Sequence, residues 1–236
     1  MTMKSVASSP SRNHDTQADR FFAAFLGERM NNLYYRNHLQ LYPAKTVIVK
    51  QDTPANAVYL IEQGLVKIIR ITPKGNKVII GLRYRDWLIG TPTVLLDRPY
   101  NFTVIAVVPT LLHETPKKDF LDYIKKNGEF SRHIHHQLSQ QVFDQMKKIE
   151  DMSCLEAEDR LECLLIDMVR EMRPLGSGMP DSFAVPLTNQ EIAQLLMITP
   201  EYLCRVLKEM EQKGIVKRDN GSLIVTNLAG LLQNAS

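Results

Sequence analysis

Cysteine is scarce in this chain. Its three cysteines, Cys154, Cys163 and Cys204, are an odd number at no metal-like spacing, which argues against a disulfide scaffold or a CxxC zinc site. No run approaches the roughly 20 apolar residues that a membrane-spanning helix needs, and no apolar signal region stands near the N-terminus. Gly (11) and Pro (12) are too few for a collagen-like or linker-dominated chain, and 23% charged with 44% hydrophobic residues excludes disorder throughout. A P-loop, an HExxH pair, a nucleophile–base arrangement and clustered carboxylates with flanking His are all missing, which argues against an enzyme. What remains reads as a soluble, cytoplasmic, non-membrane protein long enough, at 236 residues, for two domains.

The net charge of +3 hides an asymmetry: residues 1–154 carry 21 Lys+Arg against 14 Asp+Glu, and the remainder 8 against 12. Local patches rather than totals bind phosphates, so this says little about where an anionic partner docks. Residues 1–19 are Ser-rich and polar and read as a mobile arm. A short helix over 21–30 would gather Phe21, Phe22, Phe25 and Leu26 on one side. From Leu39 to Glu114 short runs rich in Val, Ile and Tyr alternate with turns, TPKGN at 72–76 being a hairpin loop, which predicts an antiparallel sandwich or barrel. From about Lys117 the period becomes helical. Ile134, Leu138, Val142, Met146, Ile149 and Met152 make the stripe of one long amphipathic helix, suited to a parallel dimer. A further helix runs through Leu161, Leu164, Leu165, Met168, Val169 and Met172, then a loop with Pro174, Gly176, Gly178 and Pro180, then a short strand at 182–186.

Residues 187–225, LTNQEIAQLLMITPEYLCRVLKEMEQKGIVKRDNGSLIV, carry the most information. Thr188 with Glu191 three residues on is a capping box. Thr199-Pro200-Glu201 restarts a helix that packs Leu203, Val206, Leu207 and Met210 and stops at Gly214. Two short helices and a tight turn, followed by an Asn220-Gly221 hairpin, make a winged helix-turn-helix. A major groove admits one such helix, and side chains near its N-terminus reach base edges. The base-reading candidates are Glu201, Arg205, Cys204 and Pro200; Arg205 suits guanine O6 and N7, Glu201 cytosine N4. Thr188, Gln190, Thr199, Tyr202 and Lys208 are placed for phosphates. Cys204 also suits a small residue packed where the helices cross, or, beside Arg205, a redox trigger. The alternative function is a ligand-sensing module with a degenerate DNA-binding domain; the barrel permits it, and the caps, wing and Arg205 argue against it.

On NAVYLIEQGLVKI, DWLIG, the long helix, DRLECLL and TNQEIAQLL…TPEYLCRVLKEME…GIV, residues 20–228 resemble the cyclic-AMP receptor protein / fumarate-nitrate regulator superfamily of bacterial transcription factors. The recognition helix is nearer the fumarate-nitrate pattern, with Cys204 where that branch has serine and Met197 where a turn glycine is common. The resemblance implies an α+β chain: a cyclic-nucleotide-binding-like antiparallel β-barrel (20–116), a dimerisation helix (117–153) and a winged helix-turn-helix (154–236). It also implies a homodimer on a palindromic operator with a TGA core, double-stranded DNA and RNA polymerase as partners, and an effector pocket around Gly90, Thr91, Asn101, Phe102 and Thr103.

The pocket departs from the cyclic-AMP branch, where a Gly-Glu pair and, ten residues on, Arg-Ser hold ribose and cyclic phosphate. Here Thr91 follows Gly90, and Asn101-Phe102 replace the basic pair, so an anionic phosphate would lack its charge-assisted partner. Arg98 reads as a solvated loop charge. The fumarate-nitrate branch's iron–sulfur cluster needs N-terminal cysteines, and residues 1–153 have none. His113 lies in a strand; His133 and His136 share a helix face but lack a third ligand, and read as solvated helix-start histidines. No cofactor is expected.

Overall fold

The computed structural model describes residues 39–172, 182–219, 221–228 and 231. The arm at 1–19, the helix at 21–30, the Pro-Gly loop at 174–180 and Asn220 lie outside the described residues. The chain divides into two compact units that part between Lys147 and Lys148.

Eight strands build the first unit: β1 (Leu39–Tyr42), β2 (Val47–Val49), β3 (Ala57–Gln63), β4 (Val66–Ile71), β5 (Lys77–Arg83), β6 (Leu88–Ile89), β7 (Thr103–Ala106) and β8 (Thr110–Pro116). They pair antiparallel in two four-stranded sheets, β1-β8-β3-β6 and β2-β7-β4-β5. The expected barrel is therefore open: two sheets face each other across one core that holds Val49, Val66 and Val104 from one and Val58, Leu60 and Leu112 from the other. Alternation explains the faces, since Ile79 of β5 is buried while Val78 and Ile80 are exposed, and a bulge after Ile79 turns Leu82 inward as well. The predicted hairpin joins β4 to β5, with Gly75 at φ 80 donating its N–H to the Thr72 carbonyl at 2.8 Å. Gly64 (φ 114) has a steric reason as well: a Cβ there would stand 2.8 Å from the Thr110 Cα.

One short helix, α1 (Thr91–Leu95), interrupts the strands behind Gly90. After β8 the expected single helix over 117–153 is two, α2 (Lys117–Lys126) and α3 (Gly128–Cys154). Asn127 breaks them with extended backbone, and its side-chain oxygen accepts the Phe130 N–H at 2.9 Å, capping α3. Phe120 of α2 and Phe130 and Ile134 of α3 close the sandwich core, their rings edge-on at 5.9 Å for the phenylalanine pair.

In the second unit α4 (Ala157–Met172), α5 (Asn189–Leu196) and α6 (Pro200–Gln212) enclose a core of Leu161, Leu165, Met168, Ile192, Leu203, Leu207 and Met210. A three-stranded sheet completes it, with β11 (Ser222–Val225) between β10 (Val216–Asp219) and β9 (Phe183–Ala184). Asp219 faces Ser222 across the β10–β11 turn, where Gly221 has φ 81. This is the winged helix-turn-helix that the caps and the hairpin predict.

Candidate nucleic-acid interface

The first N–H groups of a helix have no carbonyl one turn back, and threonine supplies the missing acceptor at both helices of the motif. At α5 the Thr188 hydroxyl oxygen accepts the Glu191 N–H at 3.3 Å and donates to the Glu191 carboxylate at 2.9 Å. That carboxylate also accepts the Thr188 N–H at 2.8 Å, closing the box. At α6 the Thr199 hydroxyl accepts the Tyr202 N–H at 3.2 Å, and Pro200 holds the first position, where no N–H is needed.

Between the helices the chain turns on Met197, a residue with φ 54 where glycine is the unstrained choice. Its N–H bonds the Gln194 carbonyl at 3.2 Å, and the Ile198 N–H bonds the Ala193 carbonyl at 3.0 Å. This pair of bonds terminates α5 and aims the chain into α6. The same pattern closes α6, where the Ile215 N–H reaches the Met210 carbonyl at 3.0 Å behind Gly214 at φ 70.

With α6 fixed at both ends, its faces separate cleanly. Leu203, Val206, Leu207 and Met210 are buried, whereas Pro200, Glu201, Tyr202, Cys204, Arg205, Lys208 and Glu209 are exposed. Every base-reading candidate is thus on one solvent-facing side with Tyr202 and Lys208. Cys204 is exposed, which overturns its reading as a small residue packed where the helices cross; it sits three residues after Glu201, on the outward turn. The Glu201 carboxyl is held below the usual range by hydrogen bonds from its own backbone N–H and then from the Thr199 hydroxyl, so it is an anion near neutral pH. The Arg205 guanidinium lies 5.1 Å from the centroid of the Tyr202 ring. Thr188 and Gln190 are exposed at the start of α5. Two cations that sequence reasoning did not assign, Lys217 and Arg218, are exposed on β10, and Arg218 pairs with Glu211 at 3.4 Å. The only signal for them is their adjacency to the wing turn.

The proposed effector residues scatter by comparison. Gly90, Thr91 and Thr103 are buried, Phe102 is half-buried and Asn101 is exposed. Thr103 already serves the fold, its hydroxyl accepting the Gln51 N–H at 3.0 Å. Gly90 (φ 91) is pressed by Tyr100, whose ring carbon would lie 3.1 Å from a Cβ there. The Tyr100 hydroxyl donates to the Ala57 carbonyl at 2.5 Å, pinning β3 beneath α1. Thr91 keeps a buried hydroxyl with no partner among the described residues. Arg98 is exposed.

The long helix divides its stripe. Ile134 is buried in the sandwich core and Leu138 packs against it. Val142, Phe143, Met146 and Ile149 are 59–69% exposed, and Met152 is half-buried. Phe143 widens the stripe; its i, i+3 relation to Met146 was legible but unused. His133 is buried rather than solvated, whereas His136, three residues on, is exposed. Among the described residues no three His, Cys, Asp or Glu side chains gather as metal ligands, and no helix is long and apolar enough to cross a membrane.

Residues 39–127 match the cyclic nucleotide-binding domain family, and residues 159–233 match the Crp-like helix-turn-helix domain family. The chain is 21% identical over 189 residues to the cAMP-activated global transcriptional regulator CRP of Salmonella typhimurium, covering 80% of this chain and 89% of that one. It is 22% identical over 202 residues to the cAMP-activated regulator Vfr of Pseudomonas aeruginosa, covering 84% and 94%. Two solved structures share the fold. The c-di-GMP responsive regulator CLP of Xanthomonas campestris superposes with a TM-score of 0.67 at 20% identity, covering 86% of this chain and 98% of that one. A CRP/FNR family regulator of Thermus thermophilus gives 0.68 at 18%, covering 84% and 97%.

The turn between α5 and α6 yields a direct test. Replacing Met197 by Gly removes the side chain from a left-handed position and should raise stability by about 0.5–1 kcal/mol, read as a higher urea midpoint with an unchanged slope. Met197→Val should lower it. A Met197→Gly protein less stable than the parent would contradict the turn geometry.

Proposed function

This chain belongs to the cyclic-AMP receptor protein / fumarate-nitrate regulator superfamily and is a transcription regulator rather than an enzyme; from that premise we propose that it acts as a homodimer on a palindromic DNA operator, without cyclic AMP. The observation that carries the DNA reading is α6 itself: one face wholly buried, the other a row of Pro200, Glu201, Cys204, Arg205 and Lys208 behind a capped, N-terminal first turn.

In this reading Arg205 donates two hydrogen bonds to guanine O6 and N7, and Glu201, one turn earlier, accepts from cytosine N4. Glu201 must exchange the Thr199 hydroxyl for the base, which its exposure permits. Cys204 and Pro200 line the same base edge. Thr188, Gln190, Thr199 and Lys208 lie along the phosphates, where helix N-termini favour anions. The half-site carries a TGA core, and the promoter-bound dimer meets RNA polymerase in the cytoplasm.

The homodimer rests on the exposed part of α3. Val142, Phe143, Met146 and Ile149 form a continuous apolar strip on a 27-residue helix, the geometry of a parallel helix pair. The cyclic-AMP activation named for the Salmonella and Pseudomonas relatives does not carry over, because Thr91 and Asn101 offer neither acid nor base and Tyr100 fills the space against Gly90. Neither an iron–sulfur cluster nor another cofactor enters the proposal.

Four outcomes are expected. Val142→Glu with Met146→Glu should give monomers by sedimentation, because each apolar side chain withdrawn costs about 1.5–3 kcal/mol per protomer; a parent that is monomeric at micromolar concentration contradicts the dimer. Cyclic AMP should leave the melting curve unchanged, whereas a ligand at 100 times its dissociation constant would add about 2.7 kcal/mol; a clear upward shift overturns that reading. On a randomised duplex pool, Arg205→Ala should flatten preference at one base pair per half-site and cost about 1–3 kcal/mol there. Thr199→Ala should weaken binding to all sequences while keeping the motif. An unchanged motif with Arg205→Ala makes Arg205 a bystander.

A further inference from the structure

We propose that Tyr202 is a positioning residue for Arg205, holding its guanidinium over the tyrosine ring so that it enters the groove already aimed, rather than serving as a phosphate contact. The inference rests on Arg205 being the base-reading side chain.

The observations are local and mutually consistent. Tyr202 and Arg205 are three residues apart on α6, the spacing that brings side chains together on a helix surface. The guanidinium carbon lies 5.1 Å from the ring centroid, within the range where a cation is attracted to an aromatic face. The backbone that carries the ring is fixed from below. The Tyr202 N–H is bonded to the Thr199 hydroxyl at 3.2 Å, and Pro200 locks the backbone of the same turn. A free arginine samples many rotamers, each of which must be abandoned when it makes two hydrogen bonds to one guanine. Stacking on a ring with only two side-chain torsions removes part of that search before binding. The ring face, not the hydroxyl, supplies the contact, so the position tolerates Phe but not a small residue.

The test uses the full chain and the operator it selects from a randomised duplex pool, with binding to that duplex and to each single-base variant measured by anisotropy. Tyr202 is on the exposed face of α6, and far-ultraviolet circular dichroism checks that each variant is folded. Tyr202→Ala should reduce discrimination at the Arg205-dependent base pair by about two- to fivefold, matching the strength of an exposed cation–aromatic contact. Tyr202→Phe should retain discrimination and affinity. In an Arg205→Ala background, Tyr202→Ala should leave discrimination at that pair unchanged. If Tyr202→Phe weakens binding equally on every duplex, the hydroxyl is a phosphate contact and the proposal fails. If Arg205→Ala flattens its base pair while Tyr202→Ala does not, the positioning role alone fails. If Arg205→Ala changes nothing, the base-reading assignment falls and the positioning role with it.

Discussion

A helix can present a defined row of side chains only if its first turn cannot slide or fray. Here that constraint is met by Thr199 and Pro200 together. The Thr199 oxygen accepts the Tyr202 N–H, and its hydroxyl lends a hydrogen bond to Glu201. The left-handed turn at Met197 feeds the chain into it, and Ile215 ties off the far end. From that fixed frame follows which residues of α6 are buried under α4 and α5 and which stand in solvent. The order of Glu201, Tyr202, Cys204, Arg205 and Lys208 on the outer face is a consequence of helical spacing acting on a pinned start.

The first unit applies the same economy differently. Its two sheets share a core with the opening turns of α3, through Phe130 and Ile134, so the long helix is anchored on its own sandwich at one end. From Val142 to Ile149 its apolar residues are exposed. The proposed helix pair rests on this division, half of the stripe satisfied within the chain and half in water. Around Gly90 stand the buried Tyr100 and Thr91, and the proposal that cyclic AMP is no effector rests on Thr91 and Asn101 standing where a cyclic phosphate needs charged partners.

Much of this was legible in the chain. The capping box at Thr188, the Thr199-Pro200 start, the Gly214 stop and the buried face of α6 were readable because caps and 3.6-residue periodicity are local signals. The open sandwich was not distinguishable from a barrel, because alternation reports which face is buried and not whether the sheet closes. The break at Asn127 carried a local signal, the Asn127-Gly128 pair, which the helical period on either side outweighed; the Asn127 side chain, bonding Phe130 and Tyr123, makes the boundary. The burial of His133 depends on what packs around its helix, which spacing alone does not report, whereas the exposure of Cys204 follows its i, i+3 spacing from Glu201.

The central claim is that two copies of this chain read one duplex through paired α6 helices. Native mass measurement of the protein bound to its selected duplex tests it most directly, combined with the symmetry of the selected sequence. The account predicts two 27.0 kDa chains per duplex on an inverted repeat whose half-sites lie about 34–36 Å apart, one helical turn. One chain per duplex on an asymmetric site, or no selected sequence at all, would contradict it.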